Sequence, residues 1–116
     1  MELVEKFYTY FVIIYLLHSQ EEIYFHFEKV WPLWKMSRRF FISMEILLSV
    51  LLISAIFIKT YPYRIYLMSI FNILMFANGI WHITGATLAK KYVPGLITAP
   101  LAVITFLIYY FQILTK

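Results

Sequence analysis

The chain has 116 residues, of which 63% are hydrophobic, 21% aromatic and only 14% charged, and its formal net charge is +4. A domain of this length that folds in water is closer to half apolar and a quarter charged, so much of this apolar surface has no core to enter. The composition therefore excludes an ordinary water-soluble domain and predicts a single integral membrane domain. The absence of cysteine also excludes disulfides and thiolate metal sites.

Four apolar runs dominate the chain, and each is close to the ~20 residues that a helix needs to cross a bilayer core of ~30 Å. The predicted helices cover residues 3–27, 40–58, 65–89 and 93–114. Their short connections favour antiparallel neighbours. The sequence therefore predicts an all-α fold, an up-and-down four-helix transmembrane bundle with both termini on one side.

The connections indicate the orientation of this bundle. Residues 28–39 combine Trp31, Pro32 and Trp34 with lysines and arginines, a mixture typical of an interfacial loop. Together with residues 90–93 this loop carries more Lys and Arg than the opposite side, so we expect both loops in the cytoplasm and both termini outside. Positive charge in short clusters between apolar runs indicates contact with a lipid bilayer rather than with nucleic acid. Oligomeric state stays open.

The first predicted helix carries ionisable side chains near its end. His18, Glu22 and His26 recur every four residues and so lie within an arc of about 80°, with Glu21 on the other side of His18. Ionisable groups inside a membrane segment are costly and usually serve a function. The sequence thus predicts one polar helix face.

Polar groups of the other helices are expected at the same depth. Glu45 comes shortly after the first loop, and Asn78 and His82 share a face of the third helix that small residues continue. In an alternating bundle these groups gather in the leaflet of the first and third loops. The predicted pocket combines Glu21, Glu22, His18 and Glu45 as candidate catalytic groups with His26, Asn78, His82, Tyr92, Pro94 and Gly95 around them.

The ordered motifs His18-x-x-Glu21-Glu22, then His82, then Tyr92-x-Pro94-Gly95 resemble the HXXEE-domain family of small bacterial integral membrane proteins. The resemblance covers nearly the whole chain. It implies a membrane protein of a bacterial cell membrane and supports the choice of site residues. Because the family has no settled function, the resemblance implies no reaction.

One interpretation of the polar cluster is a metal site. His18 and Glu22, four apart on one helix, can chelate one ion with His82 as a third ligand, while Glu21 or Glu45 acts as a fourth ligand or general base. Such a donor set suits a divalent transition metal, namely Zn, Fe or Mn. It predicts a membrane-embedded, hydrolase- or isomerase-like enzyme with a lipophilic substrate.

Two other interpretations need no metal. In the first, His18 and Glu22 form an acid/base pair that moves a proton on a lipid-like substrate. In the second, the chain is a non-catalytic transport, immunity or assembly subunit, and the His/Glu cluster is a structural polar lock. The sequence alone does not decide among the three.

Overall fold

The computed structural model describes residues 2–31 and 35–115, and this part of the chain is all-α, as predicted. It contains four long helices: α1 (Leu3–Tyr24), α2 (Arg38–Phe57), α3 (Arg64–Ala89) and α4 (Ala99–Leu114). A short 3-10 helix, Phe27–Lys29, follows α1. Pro32 and Trp34 of the predicted interfacial loop lie outside the described residues.

Helix α1 is the centre of the fold, because it packs against α2, α3 and α4, while α3 also packs closely against α4. On one side of α1, Phe11 and Tyr15 meet Met75 of α3 and Tyr109 of α4. On its other side, buried α1 side chains meet Ala55 of α2 and Met68 of α3. A helix enclosed in this way is well placed to carry buried polar side chains.

Two helices are long and apolar enough to cross a membrane by length and composition, α2 and α3. Only 11% of the apolar stretch of α2 and 28% of that of α3 is buried inside the protein. Helix α4 is also apolar but shorter. The apolar side chains of α2 and α3 therefore mostly face outward, unlike those of a core helix in a water-soluble protein.

Arg64 ties together one end of the bundle. Its guanidinium lies 2.6 Å from Glu5 of α1 and donates to the carbonyls of Ala55 and Ile56 at 2.7 and 3.2 Å. These carbonyls belong to the last turn of α2, where no intrahelical donor is available. The starts of α1 and α3 thus meet the end of α2, so the first three helices alternate in direction.

Two helix ends differ from the predicted ones. Helix α1 ends at Tyr24 rather than residue 27, because His26 adopts a left-handed conformation with φ of 59°. Helix α4 begins at Ala99 rather than residue 93, because Gly95 has φ of 103° and residues 92–98 form a turn. Pro100, not Pro94, occupies the first turn of α4, where its missing N–H costs nothing. This turn lies over the predicted pocket.

Candidate functional site

The candidate site is built on the pair His18 and Glu22, one turn apart in the last part of α1. His18 Nε2 lies 3.4 Å from Glu22 Oε1. The two residues are 4% and 7% exposed, so water does not solvate either side chain to any extent. The predicted shared helix face is therefore present and buried.

His82 of α3 completes a group of three. Its Nε2 atom lies 3.5 Å from Oε2 of Glu22, and its ring packs edge-on against that of His18 with centroids 4.6 Å apart. One donor atom from each of the three side chains lies within 4.8 Å of the other two. The structure thus brings together the three residues that the sequence predicted as metal ligands.

Two spacings within this group are long for hydrogen bonds and lie in the range of ligands that share one ion. Charge-assisted N–H···O bonds are about 2.7–2.9 Å long. Ligands about 2.0–2.2 Å from a tetrahedral ion stand roughly 3.3–3.6 Å from one another. The two N···O distances, 3.4 and 3.5 Å, match the second value. Among the described residues, the buried Nε2 atom of His18 has no hydrogen-bond partner.

Glu21 has a different set of contacts from its neighbour Glu22. Its carboxylate accepts hydrogen bonds of 3.0 Å each from the backbone N–H groups of Ile97 and Thr98 and from the Thr98 hydroxyl, and a further one from the Tyr92 hydroxyl. N–H groups at the start of a helix lack intrahelical acceptors and carry partial positive charge. Glu21 therefore caps α4, and its catalytic role stays a prediction.

Thr98 connects the two parts of the site. Its hydroxyl oxygen lies 2.7 Å from Nδ1 of His18 and 3.0 Å from Oε1 of Glu21. Thr98 is not among the site residues predicted from the sequence. A threonine followed by Ala99 and Pro100 does carry a helix-start signal, since threonine favours the cap position and proline the first turn. That signal could have placed Thr98 at the start of α4.

The turn of residues 92–98 explains why the motif Tyr92-x-Pro94-Gly95 ends in a glycine. Pro94 and Gly95 are buried over the two histidines. A Cβ atom at Gly95 would overlap the His82 ring and lie 2.6 Å from Cε1 of His18, and the φ of 103° is one that other residues rarely adopt. Glycine is required here because the backbone touches both imidazoles.

Tyr92 fastens this turn to α1. It is partly exposed, and its hydroxyl donates to Glu21. Desolvation raises the pKa of Tyr92 above its ordinary value, and the hydrogen bond to Glu21 raises that pKa further. The hydroxyl therefore keeps its proton and remains a donor at neutral pH.

Three predicted pocket residues, Glu45, Asn78 and His26, are not part of the group formed by His18, Glu22 and His82. The Glu45 carboxylate, on α2, accepts a hydrogen bond of 2.9 Å from Tyr15. Asn78 shares with His18 a void too narrow to hold a water molecule. His26 lies beyond the end of α1 and faces Glu28 at 3.4 Å, so the shared helix face does not extend to it.

Glu28, which was predicted only to lie in the interfacial loop, is a buried carboxylate. Arg38 donates to it at 2.9 Å and to the Ile23 carbonyl in the last turn of α1, also at 2.9 Å. Burial raises the pKa of Glu28, but the hydrogen bond from Arg38, a backbone hydrogen bond and the positive charge of Arg38 together hold that pKa below its ordinary value. Arg38 at the start of α2 therefore binds both Glu28 and the end of α1.

A cavity of about 230 Å³ adjoins the histidine cluster. His82 forms part of its wall, and the other described lining residues are aromatic, aliphatic or glycine: Phe27, Val30, Trp31, Trp81, Gly85 and Val93. Pockets with mostly apolar walls and few polar groups are typical of small-molecule sites. An apolar cavity therefore lies next to His82, one of the three clustered residues.

Residues 9–110 match the model of a family described as proteins of unknown function with an HXXEE motif. The chain belongs to this family. His18-Ser19-Gln20-Glu21-Glu22 is the HXXEE motif, and in the fold its histidine and second glutamate join His82 while its first glutamate caps α4. No curated protein and no solved structure matches the chain.

Proposed function

We propose that this HXXEE protein is an integral membrane enzyme that holds one divalent transition metal ion at His18, Glu22 and His82 and acts on a lipophilic substrate. The observation that carries the proposal is the position of Glu22. Its two carboxylate oxygens face the Nε2 atoms of two histidines from different helices at 3.4 and 3.5 Å. Histidines from α1 and α3 thus lie on either side of one carboxylate, at N···O distances that suit ligands of a shared ion.

The membrane location is supported by the outer surface of the bundle. Helices α2 and α3 are long enough to span and keep most of their apolar stretches outward. In the proposed arrangement all four helices cross the cell membrane, and residues 28–39 and 90–93 face the cytoplasm because they hold the excess of Lys and Arg. Lipid then covers surface that has no partner within the chain.

The donor set favours particular metals. Two imidazole nitrogens and a carboxylate suit Zn, Fe or Mn, whereas Cu(I) prefers sulfur ligands, which this site lacks. A metal held by three side chains keeps a coordination position for water or substrate, as catalytic sites do. There it would act as a Lewis acid or lower the pKa of a bound water.

The cavity beside His82 supports a lipophilic substrate. Its apolar walls would receive a hydrocarbon segment while the reacting group lies at the cluster. Glu22 orients both imidazoles, and the turn of residues 92–98 excludes water from their other side. Hydrolysis or isomerisation at a lipid headgroup fits this arrangement.

Metal content of the protein purified in mild detergent tests the proposal. We expect about one equivalent of Zn, Fe or Mn in wild type and its loss in His18→Ala and in His82→Ala, because removing one of three ligands leaves too few. His26→Ala is the matched control, since this histidine lies outside the cluster, and it should keep the metal. Wild-type protein that stays metal-free after reconstitution would contradict the proposal.

A non-catalytic protein with a structural polar lock is the second candidate. The observation that favours it is the number of hydrogen bonds that the Glu21 carboxylate accepts, from the backbone of Ile97 and Thr98 and from the Tyr92 hydroxyl. A lock predicts large thermal destabilisation of Glu22→Gln with no change in lipid composition when the protein is expressed. The enzyme proposal instead predicts a shifted lipid pool with wild type and none with Glu22→Gln, measured by mass spectrometry.

A further inference from the structure

Thr98 occupies the side of His18 opposite to Glu22. We infer that Thr98 is a positioning residue of the metal site: its hydroxyl accepts a hydrogen bond from Nδ1 of His18, so Nε2 is left as the atom that binds the ion. Glu21 supports this arrangement by accepting the hydrogen bond that the Thr98 hydroxyl donates. The inference rests on the proposed metal-binding function and assigns roles to two residues outside the set of ligands.

The assignment follows from counting protons. A threonine hydroxyl has one hydrogen to donate. Two acceptors compete for it, Oε1 of Glu21 at 3.0 Å and the carbonyl of Gly95 at 3.2 Å. Neither acceptor can itself donate when Glu21 is ionised. The hydroxyl must therefore accept from His18 across the 2.7 Å contact, so Nδ1 carries the hydrogen.

A neutral imidazole has one protonated and one unprotonated nitrogen. With the hydrogen fixed on Nδ1, the lone pair lies on Nε2, the atom that faces Glu22 and has no hydrogen-bond partner among the described residues. Metal-bound histidines usually donate their other N–H to a carboxylate, a carbonyl or water, and this contact sets the tautomer. Here a threonine stands between the histidine and the carboxylate.

Glu21 holds the threonine in place. It accepts from the backbone N–H of Thr98 as well as from the hydroxyl, both at 3.0 Å, so one carboxylate oxygen fixes both groups. His18, Glu21 and Thr98 are all buried. Water is therefore not available to replace a lost hydroxyl. The two adjacent glutamates of the motif thus serve different nitrogens of His18, Glu22 at Nε2 and Glu21 at Nδ1 through Thr98.

Zinc and cobalt affinities of four proteins test the inference: wild type, Thr98→Ser, Thr98→Val and Thr87→Val. Valine keeps the shape but removes the acceptor, so we expect affinity 10- to 100-fold weaker in Thr98→Val, the usual effect of losing such a partner. Thr98→Ser should stay within about threefold. Thr87→Val is the control, because that exposed hydroxyl bonds only within α3, at 2.8 Å. Equal affinity of Thr98→Val and wild type, or failure of serine to restore binding, would overturn the inference.

Nitrogen-15 NMR of labelled histidine in the metal-free wild type gives a readout that needs no variant and no metal. At a pH where the ring is neutral, we expect the His18 proton on Nδ1. A proton on Nε2 would overturn the inference even if metal binds. Conversely, a protein with the proton on Nδ1 that never binds metal would refute the proposed function and leave only the tautomer that Thr98 sets.

Discussion

Gly95 and His82 are in such close contact that no side chain fits between the backbone of one and the ring of the other. The contact joins the turn before α4 to the cluster on α1 and α3. It also explains in steric terms why the motif Tyr92-x-Pro94-Gly95 ends in glycine. Substitution at this position is therefore the most direct probe of whether the turn shapes the site.

Gly95→Ala should displace one or both imidazoles. The added methyl group meets the two rings, and the φ of 103° adds strain of the order of 1–3 kcal/mol for a residue other than glycine. We expect a lower thermal unfolding midpoint and loss of metal. Gly85→Ala is the control, because a Cβ there meets nothing within 4 Å and alanine favours a helix by about 1 kcal/mol. Equal metal content in both variants would show that the turn does not shape the site.

Glu22→Gln should reduce metal affinity far more than Glu45→Gln. Glutamine removes the negative charge that both histidines share, whereas Glu45 contacts Tyr15 rather than the cluster. Isothermal titration with Zn²⁺ compares the two directly. Similar losses in both variants would make Glu45 a ligand after all.

Tyr92→Phe should destabilise the protein by about 1–3 kcal/mol, the typical range for a hydrogen bond to a charged group. The hydroxyl donates to Glu21, and the backbone donors of Ile97 and Thr98 remain, so metal content should stay the same. Denaturant unfolding in detergent measures the change. Tyr24→Phe, at an exposed position, should have no effect. A Tyr92→Phe variant as stable as that control would exclude a role for this hydrogen bond.

Glu28→Gln should remove a pH-dependent part of the stability. Because the pKa of Glu28 is held below its ordinary value in the folded protein, its interaction with Arg38 and His26 is fully present above the unfolded-state pKa and is lost as pH falls through the folded-state pKa. Wild type should therefore exceed the variant in unfolding midpoint at pH about 7, and the difference should shrink towards pH about 3. A constant difference across this range would rule out ionisation of Glu28 as its source.

Gly85→Leu should fill the cavity beside His82 and leave the metal in place, because Gly85 lies in the cavity wall and not in the cluster. A fatty acid carrying a diazirine should label wild type near this cavity and label the variant much less. Peptide mapping by mass spectrometry locates the adducts. Unchanged labelling at the cavity in Gly85→Leu would show that the chain of a lipid binds elsewhere.

The convergence of His18, Glu22 and His82 was predictable from the sequence. Alternating helix direction and the depth of each residue in its helix determine which ends meet, and both can be read from apolar runs and loop lengths. Helix periodicity placed these three side chains on inward faces, but it also predicted Glu45 in the same pocket, and the Glu45 carboxylate instead accepts a hydrogen bond from Tyr15.

Residues beyond the helix ends were not predictable in the same way. His26 leaves α1 through a left-handed conformation although no glycine or proline marks that point. The later start of α4 depends on Glu21, which caps it from a distant part of the chain. Thr98 acquires its role from such a long-range contact and Glu28 from Arg38, and helix periodicity carries no signal for either.

The hydrogen bond between His18 and Thr98 joins positions 80 residues apart in the chain. During synthesis the first histidine is made long before its partner, and His82 also precedes the turn that covers it. The site is therefore complete only after the last helix has docked against the first. In the proposed function, binding of the metal would then report that α4 has packed against α1.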